Sequence, residues 1–225
     1  FLKYRYMAGE DKIRLEDIHS AFLDKTIDTI ICLRGGYGAI RLLDEIDYEL
    51  ISKNKKNFVG FSDITSLLIS FYKNSGLKGF HGKMVLNGIL NMDEKEFLQY
   101  VNSIENPAFK TGLTGGILWG GNLATIVSLF GSKEETYIPN EDIILFIEDI
   151  NEADYKIDKM CNQILRNEKL ASKIKGIIFG DFIGAGKYLE EIQCEFAAKL
   201  GVPFETNLNV GHGVNNVIVP FGHKV

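Results

Sequence analysis

The stretch "KNFVGFSDITSLLISFYKNSG", residues 56–76, decides the fold. A short apolar run closes on Gly60, a serine stands two residues on, and a helical pattern follows, ended by Gly76. That order reads as a buried strand turning sharply into a helix. Ser62 lies at the turn. Serine is a favoured helix cap and Asp63 suits a first helical turn, which is a purely structural reading. The same kind of turn is where α/β enzymes expose a nucleophile, beside unsatisfied N–H groups able to bind an oxyanion. The hydrolase elbow G-x-S-x-G is only half present, because Ile64 occupies the second glycine position. Taken alone, the stretch leaves both readings open.

Working outward, strand and helix signals alternate. "RLEDIHSAFLDK" (14–25) has helical spacing, "TIDTIICLRGGYG" (26–38) reads as a strand over Thr29–Leu33 ending in a Gly-rich loop, and "AIRLLDEIDYELISKN" (39–54) returns to helical spacing. Beyond residue 115, "GGNLATIVSLFGS" reads as a helix behind a Gly-Gly-Asn turn. "DIILFIEDI" and "IKGIIFGDF" read as strands, "YKIDKMCNQILRNEKL" and "YLEEIQCEFAAKLG" as helices, and "NNVIVPFG" as a last strand. Such alternation predicts an α/β fold with parallel sheets. The pattern loosens over 91–115, where Asn106-Pro107 precedes three glycines. A linker at 106–115 would divide an N-terminal domain, 1–105, from a C-terminal one, 116–225.

Composition narrows the functional classes. The 225 residues are 45% hydrophobic and 24% charged, ordinary globular material. The net charge of −5, with no basic block beyond pairs such as Lys55–Lys56, argues against nucleic acid or an anionic membrane as partner. Three cysteines without a C-x-x-C predict no disulfide framework and a reducing, cytoplasmic setting. No apolar run approaches the roughly 18 residues of a membrane span. The four histidines lack H-E-x-x-H or H-x-H spacing, so no metal site is expected. The chain opens on Phe1 and runs straight into patterned sequence, which suggests that a longer protein begins upstream.

Three further segments carry chemistry-bearing residues. "RGGYG" (34–38) follows a buried strand; its glycines suit either close backbone approach to an anion or a tight turn. It matches neither a dinucleotide fingerprint nor a phosphate-binding P-loop. Glu148 and Asp149 end an apolar strand, where a carboxylate either orients a histidine or belongs to the solvated acidic loop "EDINEAD". His212 stands between two glycines, off any apolar face, a placement suited to a general base or to an ordinary surface loop. His19 falls on a polar helix face, His223 near the chain end, and His81, in "GFHGKM", reads as a loop histidine whose role the sequence leaves open.

Together, "RGGYGAIRLLDEIDYELI", "FVGFSDITSLL", "FHGKM", "WGGNLATI", "EDINEADYKIDKM", "GIIFGDF" and "GHGVNNVIVPFG" resemble the LD-carboxypeptidases and their relatives, the microcin C self-immunity proteins. The motifs occur in the family's order and cover nearly the whole chain. The resemblance implies a serine peptidase of two α/β domains with the active site between them. Ser62 would be the nucleophile, Glu148 the acid and His212 the base, with the N–H groups of Asp63 and Gly36 forming the oxyanion hole. Arg34, Gly35, Tyr37, Trp119, Asn122 and Tyr155 would contact substrate, Arg34 being suited to a terminal carboxylate or to a structural ion pair, Trp119 to packing or, like Tyr155, to a purine. The N-terminal domain would lack its first strand. Lys83 stands where the family commonly has proline, and the segment before "GILWGGN" is short.

The expected activity is hydrolysis of an L,D amide bond, releasing terminal D-alanine from a murein tetrapeptide, with no metal or organic cofactor, by a cytoplasmic homodimer. Cleavage of a peptidyl or aminoacyl nucleotide is the alternative within the fold. A non-catalytic binder of wall fragments is the alternative outside enzymology.

Overall fold

The computed structural model describes residues 3–133, 137–206 and 208–225. Two four-stranded sheets form the frame. The first runs in the order β1 (Thr29–Ile31), β2 (Asn57–Gly60), β3 (Gly79–His81) and β8 (Val219–Phe221). Its first three strands are parallel, and β8 joins antiparallel, with Val219 opposite His81. Pro220 is tolerated there because β8 is an edge strand. The second sheet is wholly parallel: β4 (Ile117–Asn122), β5 (Ile143–Ile150), β6 (Ile174–Ile183) and β7 (Phe204–Glu205). Its inner strands are covered on both faces, so they read as continuous apolar runs such as "IILFI" rather than alternating ones.

Helix α3 (Thr65–Ser75) lies between the sheets, packing on β2, β3 and β4. It buries Thr65 through Phe71 without a break, as a helix covered on all sides over that stretch must, and reaches solvent only in its last turn. Gly76 ends it in the left-handed conformation. The other helices, α1 (Asp11–Leu23), α2 (Tyr48–Lys53), α4 (Glu94–Glu105), α5 (Leu123–Ser128), α6 (Asp154–Arg166), α7 (Glu168–Ala171) and α8 (Leu189–Leu200), connect and cover the strands. One contiguous apolar core joins Phe22, Phe58 and Phe71 of the first half to Trp119, Phe146 and Phe179 of the second. Among the described residues no helix is long and apolar enough to cross a membrane.

The structure differs from the sequence expectation in several places. Residues 39–54 are not one helix: a short 3-10 turn, Ala39–Leu42, is followed by α2, which Asp47 starts by accepting the Leu50 N–H at 2.8 Å. Gly120, Gly121 and Asn122 continue β4 instead of forming a turn, because α3 packs directly across them and Thr65 Oγ1 accepts the Asn122 N–H. Segment 106–115 contains no helix or strand, yet it is fixed to β7, since the Glu205 carboxylate accepts from Thr111 and Gly112. The chain also returns from the second sheet to the first. After β8, Leu118 N–H donates to the His223 carbonyl at 2.8 Å and Val225 N–H to the Gly116 carbonyl at 3.0 Å. The last seven residues thus bond to β3 and then to β4.

Candidate active site

Ser62 follows β2 with φ +62°, a left-handed backbone that a non-glycine residue holds at a cost of about 1–3 kcal/mol. Its side chain caps no helix: Ile64 takes the N-cap position of α3 and Ser66 Oγ donates to the Asp63 carbonyl. The hydroxyl instead lines a cavity of about 320 Å³ with Arg34, Gly35, Gly36, Phe61, Met84, Leu86, Asn87 and His212. The loop after β1 comes close enough that a Cβ on Gly35 would stand 3.0 Å from Ser62 Cβ, so glycine permits the approach. Among the described residues the Gly36 N–H has no protein acceptor. The Asp63 carboxylate turns away from the cavity and accepts the Ala39 N–H at 2.9 Å, pinning this loop to the turn that carries Ser62. Burial pushes the Asp63 carboxyl pKa up.

Glu148 and Asp149 are neighbours on β5, so their side chains leave opposite faces. Glu148 is fully buried, and its Oε2 meets His212 Nδ1 at 2.6 Å. Asp149 faces α5, accepting from Asn122 Nδ2, Ala124 N–H and Ile150 N–H. The β5–β6 register slips by one residue across Glu148, from Ile147 opposite Phe179 to Asp149 opposite Phe182. Such a bulge re-aims side chains. Here Asp181, on the bulged strand, accepts the Gly213 N–H at 3.0 Å and so holds the His212 loop from its far side. Gly211, on the near side, has φ +119°, and a Cβ there would lie 2.6 Å from Glu148 Oε2; only glycine fits.

The electrostatics follow from this geometry. Burial pushes the Glu148 carboxyl pKa up, but the hydrogen bond from His212 and the nearness of His81 prevail and hold it below the ordinary value. Burial pushes His212 down, but the Glu148 hydrogen bond and the charges of Glu148, Asp149 and Asp181 prevail, and its pKa is raised. The imidazole packs against Phe61, ring centroids 4.8 Å apart. No hydrogen bond joins Ser62 Oγ to His212 in this arrangement, although both line the one cavity.

Of the sequence candidates, Ser62, Gly35, Gly36, Arg34 and His212 share the cavity and Glu148 stands behind His212. Three expectations need correction. Trp119 is fully buried in β4, a strand covered on both faces, and presents no ring to a ligand. Asn122 is also buried; its amide donates to Asp149 and its carbonyl caps α5 through Thr125, so both polar ends are engaged. His81 is no loop residue: it ends β3 and is fully buried. Tyr37 and Tyr155 are exposed and lie outside the cavity lining. The sequence reading missed Met84, Leu86 and Asn87, which form the opposite wall. Only the motif "FHGKM" pointed toward them.

A serine on a strained strand-to-helix turn, sharing a cavity with an imidazole held by a buried carboxylate, is the arrangement of the serine hydrolases, a class that fixes no substrate. The family follows from comparison with known proteins. Residues 2–82 match the model of the LD-carboxypeptidase N-terminal domain and residues 115–225 that of the LD-carboxypeptidase C-terminal domain. The chain belongs to the LD-carboxypeptidase family, whose members are serine peptidases. It is 32% identical to a probable murein peptide carboxypeptidase of Bacillus subtilis, covering 99% of this chain and 75% of that protein. Its fold matches the crystal structure of muramoyltetrapeptide carboxypeptidase from Oxalobacter formigenes with a TM-score of 0.85 at 26% identity, over 99% of this chain and 82% of that one. The microcin C7 self-immunity protein in complex with glutamyl sulfamoyl guanosine matches with a TM-score of 0.81 at 22% identity, over 98% and 78%, a likeness of fold alone.

Proposed function

We propose that this chain is a serine LD-carboxypeptidase that hydrolyses the bond before the terminal D-residue of a murein tetrapeptide, with Ser62 as nucleophile, His212 as base and Glu148 as the group that orients it. The observation that carries the reading is the 2.6 Å Glu148–His212 contact behind the cavity that Ser62 lines. His212 takes the proton of Ser62 as Oγ attacks the scissile carbonyl carbon. The N–H groups of Asp63 and Gly36 receive the oxyanion. The imidazolium then gives its proton to the departing amine, freeing D-alanine. A water, deprotonated by His212, releases the remaining tripeptide from the acyl-enzyme. Arg34 reaches the cavity and makes no ion pair among the described residues, which suits it to the substrate's free carboxylate. The mechanism calls for no metal or organic cofactor. The proposal includes a cytoplasmic homodimer; the three free cysteines agree with a reducing compartment.

The test is incubation of the purified protein with a murein tetrapeptide and, separately, with an aminoacyl sulfamoyl adenosine. Release of D-alanine from the first, lost on Ser62→Ala and on His212→Ala with folding intact, is the expected result. Turnover of the second alone would make the protein an immunity-type hydrolase, and turnover of neither would make it a binder of wall fragments. The burial of Trp119 removes one of the two aromatic rings that could have supplied a platform for a purine.

A further inference from the structure

His81 ends β3 with its ring fully buried, edge-on to Phe146 at 5.2 Å and to Phe61 at 5.8 Å between centroids. Its Nε2 faces Glu148 Oε1 at 3.9 Å. Neither ring nitrogen of His81, nor Glu148 Oε1, has a hydrogen-bond partner. The carboxylate therefore offers Oε2 to His212 and points its second oxygen at another imidazole across the boundary between the two sheets. A buried carboxylate oxygen left unsatisfied is costly, and a relative shift of about 1 Å would bring these two atoms to ordinary N–H···O distance. The other titratable groups around Glu148 cannot fill the place. Asp149, on the same strand, and Asp181, from β6, are like-charged acceptors engaged with Asn122, Ala124 and Ile150 and with Gly213 respectively, and His212 is already on Oε2.

We propose that His81 is a positioning residue: its ring donates Nε2–H to Glu148 Oε1, clamping the carboxylate between two imidazoles so that Oε2 stays aimed at His212. The inference rests on Glu148 and His212 acting as proposed above. His81 touches no substrate. It fixes the rotation of a carboxylate whose other oxygen selects the His212 tautomer with the proton on Nδ1 and leaves Nε2 free to act as base. His81 belongs to the first sheet, as the Ser62 turn does, while Glu148 belongs to the second. The clamp thus registers the acid and base against the nucleophile.

Three substitutions test it. His81→Phe keeps the ring volume without a donor. His81→Gln carries an amide nitrogen near the Nε2 position, and His81→Asn carries one near Nδ1. Steady-state kinetics on murein tetrapeptide give kcat and KM, and proton NMR of the His212 Nδ1–H in a Ser62→Ala background gives a readout without turnover. In His81→Phe, kcat should fall about 10- to 100-fold with KM within about twofold, the range expected for losing one hydrogen bond to a buried charge. The low-field His212 resonance should move upfield. His81→Gln should restore most of the rate and the resonance, and His81→Asn should not. Wild-type kcat and an unchanged resonance in His81→Phe would overturn the clamp. If His81→Phe does not fold, equal kcat and resonance in His81→Gln and His81→Asn would do so. Activity surviving in His212→Ala would instead strike the underlying triad, a separate outcome.

Discussion

Glu148 and His212 lie 64 positions apart in the chain and meet at 2.6 Å, Oε2 to Nδ1, with the carboxylate wholly shielded from solvent. An anion in such a place is stable only while the imidazole answers it, and the imidazole is more basic only while the anion is there. The pair is one unit, and its pH behaviour follows.

As the proposed general base, His212 would work as neutral imidazole. Because Glu148 raises the His212 pKa, the acid limb of kcat/KM should lie above the ordinary histidine value of about 6.5. Activity should rise as pH increases through that limb. Glu148→Gln removes the largest raising influence and leaves burial opposed only by the charges of Asp149 and Asp181, so the limb should move to lower pH. The rate at its plateau should fall about 1000- to 10,000-fold, through loss of the tautomer-selecting anion. Initial rates from pH 5 to 9 check both statements, and a limb that stays put would disprove the coupling.

Asp149 has a different task. It receives three hydrogen bonds, two of which, from Asn122 and Ala124, seat the start of α5, the third coming from its neighbour Ile150. Asp149→Asn places an amide donor against donors and should cost about 2–3 kcal/mol of stability, with kcat within about tenfold of wild type in the folded fraction. Urea denaturation beside activity at low temperature should separate the two carboxylates, with Glu148 variants losing rate and Asp149 variants losing stability.

Gly211→Ala should damage both. Its Cβ would meet Glu148 in a backbone conformation that alanine resists. The expected cost is about 1–3 kcal/mol from conformation alone, and displacement of His212 should lower kcat as well. A lowered Tm with normal kcat would show that the loop relaxes without moving the imidazole.

Arg34→Ala should raise KM about tenfold and leave kcat within a few-fold, as expected for uniform binding of a charged end group. A substrate amidated at its C-terminus should be insensitive to the substitution. Equal loss on the free and amidated peptides would remove Arg34 from carboxylate recognition.

Much of the site was legible in sequence because its members lie at element ends, where glycine, strand and helix signals change abruptly. Ser62 stands out after Gly60, and His212 between its two glycines. The choice between Glu148 and Asp149 was not legible: strand alternation puts them on opposite faces without saying which face holds the histidine. His81 was missed because β3 is three residues long, too short for a period, and because its neighbours arrive from the turn after β2 and from β5 of the other sheet. Trp119 misled for a related reason. The family resemblance and a turn read at the glycines after it assign it to substrate, whereas β4 continues through them and both its faces are covered.

The closing ribbon of the chain has a mechanical consequence. Residues 219–221 are laced to β3, and 222–225 to the first strand of the other sheet. A clam-shell swing of one half against the other would have to unzip this seam and shear the common apolar interior. Entry to the cavity that Ser62 and His212 line would then pass between its bordering segments, Arg34–Gly36, Met84–Asn87 and the loop of His212, rather than through a hinge between the sheets.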